Sequence, residues 1–553
     1  MVYSLKGLDA PKQAAEIMSI SPSFARHGAS GLQQAIGQLE RFAPLVIGLA
    51  LFALPILFPL GIGRDYPNHL ARVFIEHGLD GDSYLSGNYA VEWFVVPDLA
   101  LDIFAAPLAG WVSPYIIGGV FNGLMLLLLF TATLALFRRG GGATGSAWPL
   151  LATVVLFNEA LRWGFVNFLF GCGIALWILY FWLESEDWPK ARRLAVFSLM
   201  QLGLFFAHLL GFMLSGYLIL VLELVRFWQS REQPFATRCG VFVRHMLQFA
   251  IPLLLFGFVL FGQAGVGDDS TVYGDPGTKA LALLSPTSGL TFQVAPLVLL
   301  GLFVLLYGVL RHRMATLDES LRPLLFAMLF LVVAMPSMLL GIWGLDFRYP
   351  FVALLLLISA VRLRPGLRGT RIASALAMVL ALLSLGSASF EFYKVDHRQQ
   401  QVRDAFASTE PGSALLVAGA YDPDCPGCFP AWINELHVGS LAAIERQMFV
   451  PLLFTATSFV AASPQRHDLD VPHGLPISRQ KLIEGRDLPL PSRPQEHDPK
   501  HPYWHSWDEN FDYLLWLRGA EETLDDIAGL ERLGSGEVFV LYRITRPSRG
   551  SAF

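Results

Sequence analysis

Asp65, His69 and Arg72 stand at positions i, i+4 and i+7 of the stretch GRDYPNHLAR. On a helix, that spacing puts all three on one face. The stretch follows at once on an apolar run, APLVIGLALFALPILFPLGIG. Three more stretches interrupt apolar sequence in the same way. FNEALRWGFVNF carries Glu159 and Arg162, FFAHLLGF carries His208, and WGLDFRYP carries Asp346 and Arg348. The polar segment 264–293 adds Asp268, Asp269, Tyr273, Asp275 and Lys279. Carboxylates and imidazoles take up and release protons. A guanidinium fork grips a phosphate with two hydrogen bonds. Ionisable groups beside a membrane core are costly, so their convergence marks a functional site.

The elements that must position these groups are membrane helices. The 553 residues are 54% hydrophobic and 15% charged, whereas soluble domains carry about 25% charged residues. A net charge of −5 gives no general basic field, which excludes nucleic acid as a partner. Runs of about 17–25 apolar residues can cross a bilayer. Eleven spans are expected, near 43–62, 115–137, 147–161, 165–183, 192–208, 210–228, 244–263, 294–311, 322–341, 349–362 and 371–389. The segment 97–111 is apolar but short, and reads as a re-entrant or interfacial helix. With the N-terminus inside, inner segments hold twenty Lys and Arg before residue 390, and outer loops hold five: Arg64, Arg72, Arg162, Lys279 and Arg348. That asymmetry supports both the odd count and the orientation.

The expected organisation is therefore mainly α, a polytopic bundle with a small extracytoplasmic α/β domain. Residues 1–42 form a cytoplasmic segment, 43–389 the transmembrane domain with a first outer loop at 63–114, and 390–553 the outer domain. The first apolar run starts too late for an ordinary cleaved signal peptide, so the first span is expected to be retained. In the outer domain, SALLVAGA, FDYLLWLR and GEVFVLYRI read as strands and LAAIERQMF as a helix. Cys425 and Cys428 in DCPGC fit either a strained local disulfide or two free thiols.

Each candidate also has a plainer structural role. Asp65 can cap a helix that begins at Tyr66 or Pro67. His208 can be a structural histidine bonded to the backbone. Arg348 can snorkel to head groups, although an outer arginine opposes the charge bias and points to a lipid phosphate. Glu159 and Arg162 can pair with each other at i, i+3. Asp268 and Asp269 read as a solvated loop tip.

An acidic residue just after the first span, in the first outer loop, resembles the signature of the GT-C class of membrane glycosyltransferases. The position of RDYPNHLAR also looks like the first loop of bacterial membrane proteins of that class. The resemblance extends to two juxtamembrane helices, here 73–96 and 97–111, to the many spans and to an outer C-terminal domain. It implies a multi-pass protein of the bacterial inner membrane with a periplasmic C-terminal domain. It implies transfer of a hexosyl or pentosyl group from a polyprenyl-phosphate donor to an envelope glycan or glycolipid acceptor. Asp65 would be the base. Arg348, with Arg162 or His208 as second choice, would hold the donor phosphate. His69, Arg72, Glu159, Tyr273 and Asp346 would contact substrate. Some relatives hold a divalent metal through an acid–x–acid pair. Asp80–Gly–Asp82 has that spacing but also reads as an ordinary turn, so no metal or other cofactor is assigned. No WWDYG-like stretch occurs, which disfavours N-linked protein glycosylation. A flippase of lipid-linked glycans and an O-antigen ligase or polymerase are the competing readings.

Overall fold

The computed structural model describes residues 41–546 apart from 80–82, 93–96, 142–145, 263–270, 340–341, 422–429, 431, 454–459, 472–475, 493–500 and 520–521. Asp80, Asp82, Asp268, Asp269, Cys425, Cys428 and most of the N-terminal segment thus lie outside the described residues.

The chain is mainly helical. Helix α1 (Arg41–Leu57) leads through a short turn into α2 (Tyr66–Gly78). After α3 (Ala100–Ala105) come α4 (Pro114–Arg139), α5 (Glu159–Arg162), α6 (Val166–Glu184), α7 (Lys190–Ala207) and α8 (Leu209–Gln229). Then follow α9 (Phe235–Met246), which continues through one 3-10 turn into α10 (Ala250–Gly262), α11 (Ala295–Arg311) and α12 (Arg322–Ala334). The last are α13 (Leu345–Arg348), α14 (Pro350–Ala360) and α15 (Arg368–Ala405). Five helical stretches among the described residues are long and apolar enough to cross a membrane, and three shorter apolar helices accompany them.

Among the expected spans that come out short are the third and the tenth. The third is a 3-10 turn at Trp148–Leu151 and a helix at Ala152–Leu156, and the tenth is α14. Pro149 suits a first turn, while Asn158 stops the run by accepting the N–H of Leu161 to open α5. The segment 97–111 yields only the six residues of α3.

Helix α6 is the centre of the bundle and packs against both α4 and α8. A Cβ on Gly211 of α8 would stand 2.9 Å from the backbone of Gly171 in α6. Small residues there let two backbones approach, which holds helices together where lipid offers no hydrophobic driving force. The ends of the bundle differ in chemistry. At one end Arg362 donates to the carbonyls of Gly140 and Leu136 and to Asp318, and Arg139 pairs with Glu184. The opposite end carries Asp65.

Helix α15 continues out of the bundle beyond that second end. Its 38 residues are about 57 Å long at 1.5 Å per residue. Arg398 on it binds Glu537, and Arg403 binds Glu445. There a four-stranded sheet has the order Leu415–Gly419, Tyr513–Leu517, Phe539–Ile544, Leu530–Ser535. The first pair is parallel and the others antiparallel. Leu415–Gly419 and Tyr513–Leu517 are buried at every position, as continuous apolar strands should be.

Glu435 lies between this sheet and the bundle, fully buried, with the Arg398 guanidinium 4.0 Å away. Burial pushes its carboxyl up to about 8. The folded protein then holds a proton that the unfolded chain has released above pH 4.5, so this contribution to stability falls as pH rises toward 8. Glu435→Gln should match the wild type near pH 5 and exceed it above pH 8, by up to a few kcal/mol. Thermal unfolding of both proteins across that range measures the difference, and parallel curves would refute the protonated state.

Candidate active site

Asp65 directly precedes α2, and Pro67 stands in that helix's first turn. The expected cap does not form. Asp65 has helical dihedrals, φ −75° and ψ −17°, and its side chain accepts no cap hydrogen bond, because capping needs extended backbone at that residue. The carboxylate instead lies 3.5 Å from Nε2 of His437 and is 16% exposed. Burial raises it to about 7, against the opposing pull of Arg64 and Arg348. A carboxylate so tuned is a competent base near neutral pH.

The turn before Asp65 is fixed by the C-terminal region. Arg64 adopts φ +55°, and its N–H donates to the carbonyl of Asn434 at 2.8 Å. A side chain at Gly63 would collide with that same carbonyl, so glycine is what lets the two backbones meet. The Arg64 guanidinium lies 4.1 Å over the Trp163 ring and binds Glu159 at 2.8 Å. Arg162 reaches the other Glu159 oxygen at 3.7 Å. Glu159 is thereby shared between two arginines, as the plainer reading of that pair required in part. Arg162 also borders a cavity of about 550 Å³ that Gly61, Phe157, Phe292, Leu299 and Lys394 help to line. Apolar side chains line much of it, and its charged members are Arg162 and the Lys394–Glu391 ion pair.

Arg348 is 8% exposed. It donates to the carbonyl of Trp343 at 3.1 Å and stacks 3.9 Å over Phe165. Phe168 lies 5.5 Å away on another side. Among the described residues no carboxylate forms an ion pair with it, and its Nε has no hydrogen-bond acceptor. Asp65 and Asp98 are close enough to act on it electrostatically. A buried cation held by carbonyl and ring faces, with carboxylates near but not bonded, is prepared to receive an anion.

Asp98 is the second carboxylate of the site. Asn167 at the start of α6 donates to its backbone carbonyl at 3.1 Å and accepts the N–H of Leu101 at 2.9 Å. Burial raises Asp98 to about 7. His208 breaks the chain between α7 and α8. Its Nδ1 accepts the N–H of Leu210 at 3.0 Å, and its Nε2 lies 3.8 Å from Asp98. With Nδ1 accepting, the neutral ring carries its proton on Nε2, toward Asp98. His69 is buried on α2; burial first, then Arg72, His437 and His208, hold it well below its ordinary value. It is neutral at pH 7.

Arg72 is placed differently from its expected role as a substrate contact. It binds Asp102 of α3 with two hydrogen bonds, 2.9 and 2.7 Å, and lies 3.8 Å from Glu76. That buried fork ties α2 to α3. Asp102→Asn should lower stability by about 2 kcal/mol, the worth of a charge-assisted hydrogen bond. Denaturation of the solubilised variant checks this, and an unchanged midpoint would remove the pair's structural role.

Asp65, His69, Glu159, Arg162, His208 and Arg348 therefore gather at one end of the bundle. Among the described residues, no hydrogen bond or ion pair links two further candidates to them. Tyr273 is 68% exposed, and buried Asp346 faces Lys279 at 3.8 Å. Sequence reasoning missed Arg64 and Asp98 as members. Asp98 had a signal, an acid beside Pro97 in an apolar stretch. His437, which in sequence fits a glycan contact or a packed domain surface equally, reaches Asp65 from the C-terminal region. Among the described residues no three His, Cys, Asp or Glu side chains are grouped for a metal ion.

No protein-family model and no curated protein sequence matches the chain. Among solved structures it is similar to ArnT from Cupriavidus metallidurans in the apo state, with 13% identity, TM-score 0.49, and coverage of 91% of this chain and 99% of that one. The same protein bound to undecaprenyl phosphate gives 13% identity, TM-score 0.49, and coverage of 92% and 99%. The arabinofuranosyltransferase AftD from Mycobacteria gives 12% identity and TM-score 0.41, covering 92% of this chain and 40% of that one.

Proposed function

We propose that this chain is a membrane glycosyltransferase of the GT-C class. It moves a sugar from a polyprenyl-phosphate donor to an envelope glycan or glycolipid on the outer face of the bacterial inner membrane. The observation that carries the reading is Arg348, a buried guanidinium with no carboxylate partner among the described residues, set beside an Asp65 carboxylate that caps nothing. In the reaction the acceptor hydroxyl gives its proton to Asp65 as its oxygen bonds to the anomeric carbon. The bond from that carbon to the phosphate oxygen breaks. The electron pair leaves with the carrier phosphate, and Arg348 neutralises the charge that develops there.

Two more features support it. The cavity beside Arg162 joins apolar walls to the charged groups of Arg162, Lys394 and Glu391, which suits an amphiphilic substrate. The inner loops named by the charge count share the end away from Asp65, which favours an outer site and a periplasmic 390–553 region. The shorter apolar helices are assigned as crossings along with the five long ones, toward the eleven expected.

Mass profiling of lipid-linked sugars and envelope glycans in a deletion strain tests the function. One glycan residue should disappear while its lipid-linked donor accumulates. Identical profiles in deletion and parent strains would overturn the reading.

A further inference from the structure

A second cluster of charge sits at the other end of the bundle. Helix α6 has 19 residues, so its ends are about 28 Å apart, and this cluster surrounds its last turn. Glu223 is 2% exposed. It accepts hydrogen bonds from Trp182 Nε1 at 3.0 Å and Arg226 at 2.7 Å, and lies 2.6 Å from Nδ1 of His245. Arg193 stacks 3.7 Å over Trp182 and donates to its carbonyl at 3.0 Å and to Ser185 Oγ at 3.2 Å. Arg226 also binds Glu186. The acids here are thus held by Arg226 and His245.

What remains is a cavity of about 200 Å³ with Trp182, Trp188, Lys190, Arg193, Arg244 and His245 in its walls. The side chains of Lys190 and Arg244 form no ion pair or hydrogen bond among the described residues. One water takes about 30 Å³ in the liquid, so the space can hold a phosphate with its ester oxygens. Leu194, Val241, Gln248 and Glu186, whose carboxylate is held by Arg226, complete the lining. Beyond them α7 and α10 present exposed Leu199, Ile251 and Leu254, an apolar surface leading from the cavity along the helices. Trp188 suits the head-group level of a bilayer.

We propose that this cavity binds the phosphodiester head group of an anionic phospholipid, in the leaflet opposite the one Asp65 faces. Lys190 and Arg244 engage the phosphate, Arg193 braces the wall, and the acyl chains lie along α7 and α10. Basic pockets between membrane helices select anionic lipids for this reason. The inference requires the bundle to lie in a membrane but not that it transfers a sugar, so the two readings fail separately.

The test is native mass spectrometry of the full chain in detergent, titrated with dioleoylphosphatidylglycerol and, separately, dioleoylphosphatidylcholine. The wild type should bind the glycerol lipid at least about tenfold more tightly. At about one charge contact each, Lys190→Gln with Arg244→Gln should weaken that binding about 30-fold. Neither side chain bonds within the fold, so the variant should elute and unfold as the wild type does. Arg231→Gln, an exposed cation outside the cavity, should change nothing. Equal affinity for the two lipids, or an unaffected double variant, overturns the proposal. Displacement of the glycerol lipid by millimolar inorganic phosphate would make this a soluble-anion site and overturn the lipid occupant.

Discussion

Asp65→Asn should reduce transfer by about 10²–10⁴-fold, the usual contribution of a positioned base, while the folded protein becomes more stable at neutral pH. The two halves come from the same cause. Burial holds the carboxylate at about 7, above its ordinary 3.8. Folded protein therefore retains a proton that the unfolded chain loses, and stability falls as pH rises from about 4 to 7. Asparagine removes that loss, and it forfeits no cap, because Asp65 makes no cap hydrogen bond. The wild-type rate should rise with pH through about 7, as the base sheds its proton, and then level. Steady-state kinetics with a polyprenyl-phosphate sugar, together with thermal unfolding of both proteins, measure all of this. Unchanged turnover removes Asp65 from the chemistry. Lost turnover with lower stability would make it a structural residue.

Arg348→Ala is expected to be nearly as severe, about 10²–10³-fold in kcat, because it removes the donor aimed at charge that develops on the leaving phosphate. Arg348→Lys should fall between, since an ammonium restores the charge but not the planar fork that stacks on Phe165. Binding of the free polyprenyl phosphate should weaken in both variants. Acceptor affinity should not move. If acceptor affinity alone changed, the phosphate role would pass to Arg162 or Arg64. Arg348 forms no ion pair among the described residues, so the variants should fold; unlike a broken buried pair, removing it strands no bonded carboxylate.

Much of this architecture is written locally. Unbroken apolar runs gave α4, α6 and α8, and the segments read as strands in the C-terminal region are strands. Pro67 in a first helical turn placed α2 within a residue. Runs that length alone could not settle came out shorter, and the third expected span is the example: Asn158 ends its helix early by capping α5.

The sequence by itself determined that the chain is built of membrane-type helices, which polar residues interrupt them, and that Asp65, His69 and Arg72 share a helix face. Those properties follow from periodicity and from the cost of charge beside apolar sequence, both short-range. Only the tertiary structure decided what each charge meets. Arg72 faced substrate in the sequence reading, yet closes on Asp102. Glu159 was shared with Arg64 as well as Arg162. His437 reached Asp65 from the C-terminal region, and among the described residues Arg348 was left against rings with no carboxylate bonded to it. Ion pairing depends on a few ångströms of separation between residues hundreds of positions apart, and that separation exists only once the helices and the C-terminal sheet have packed.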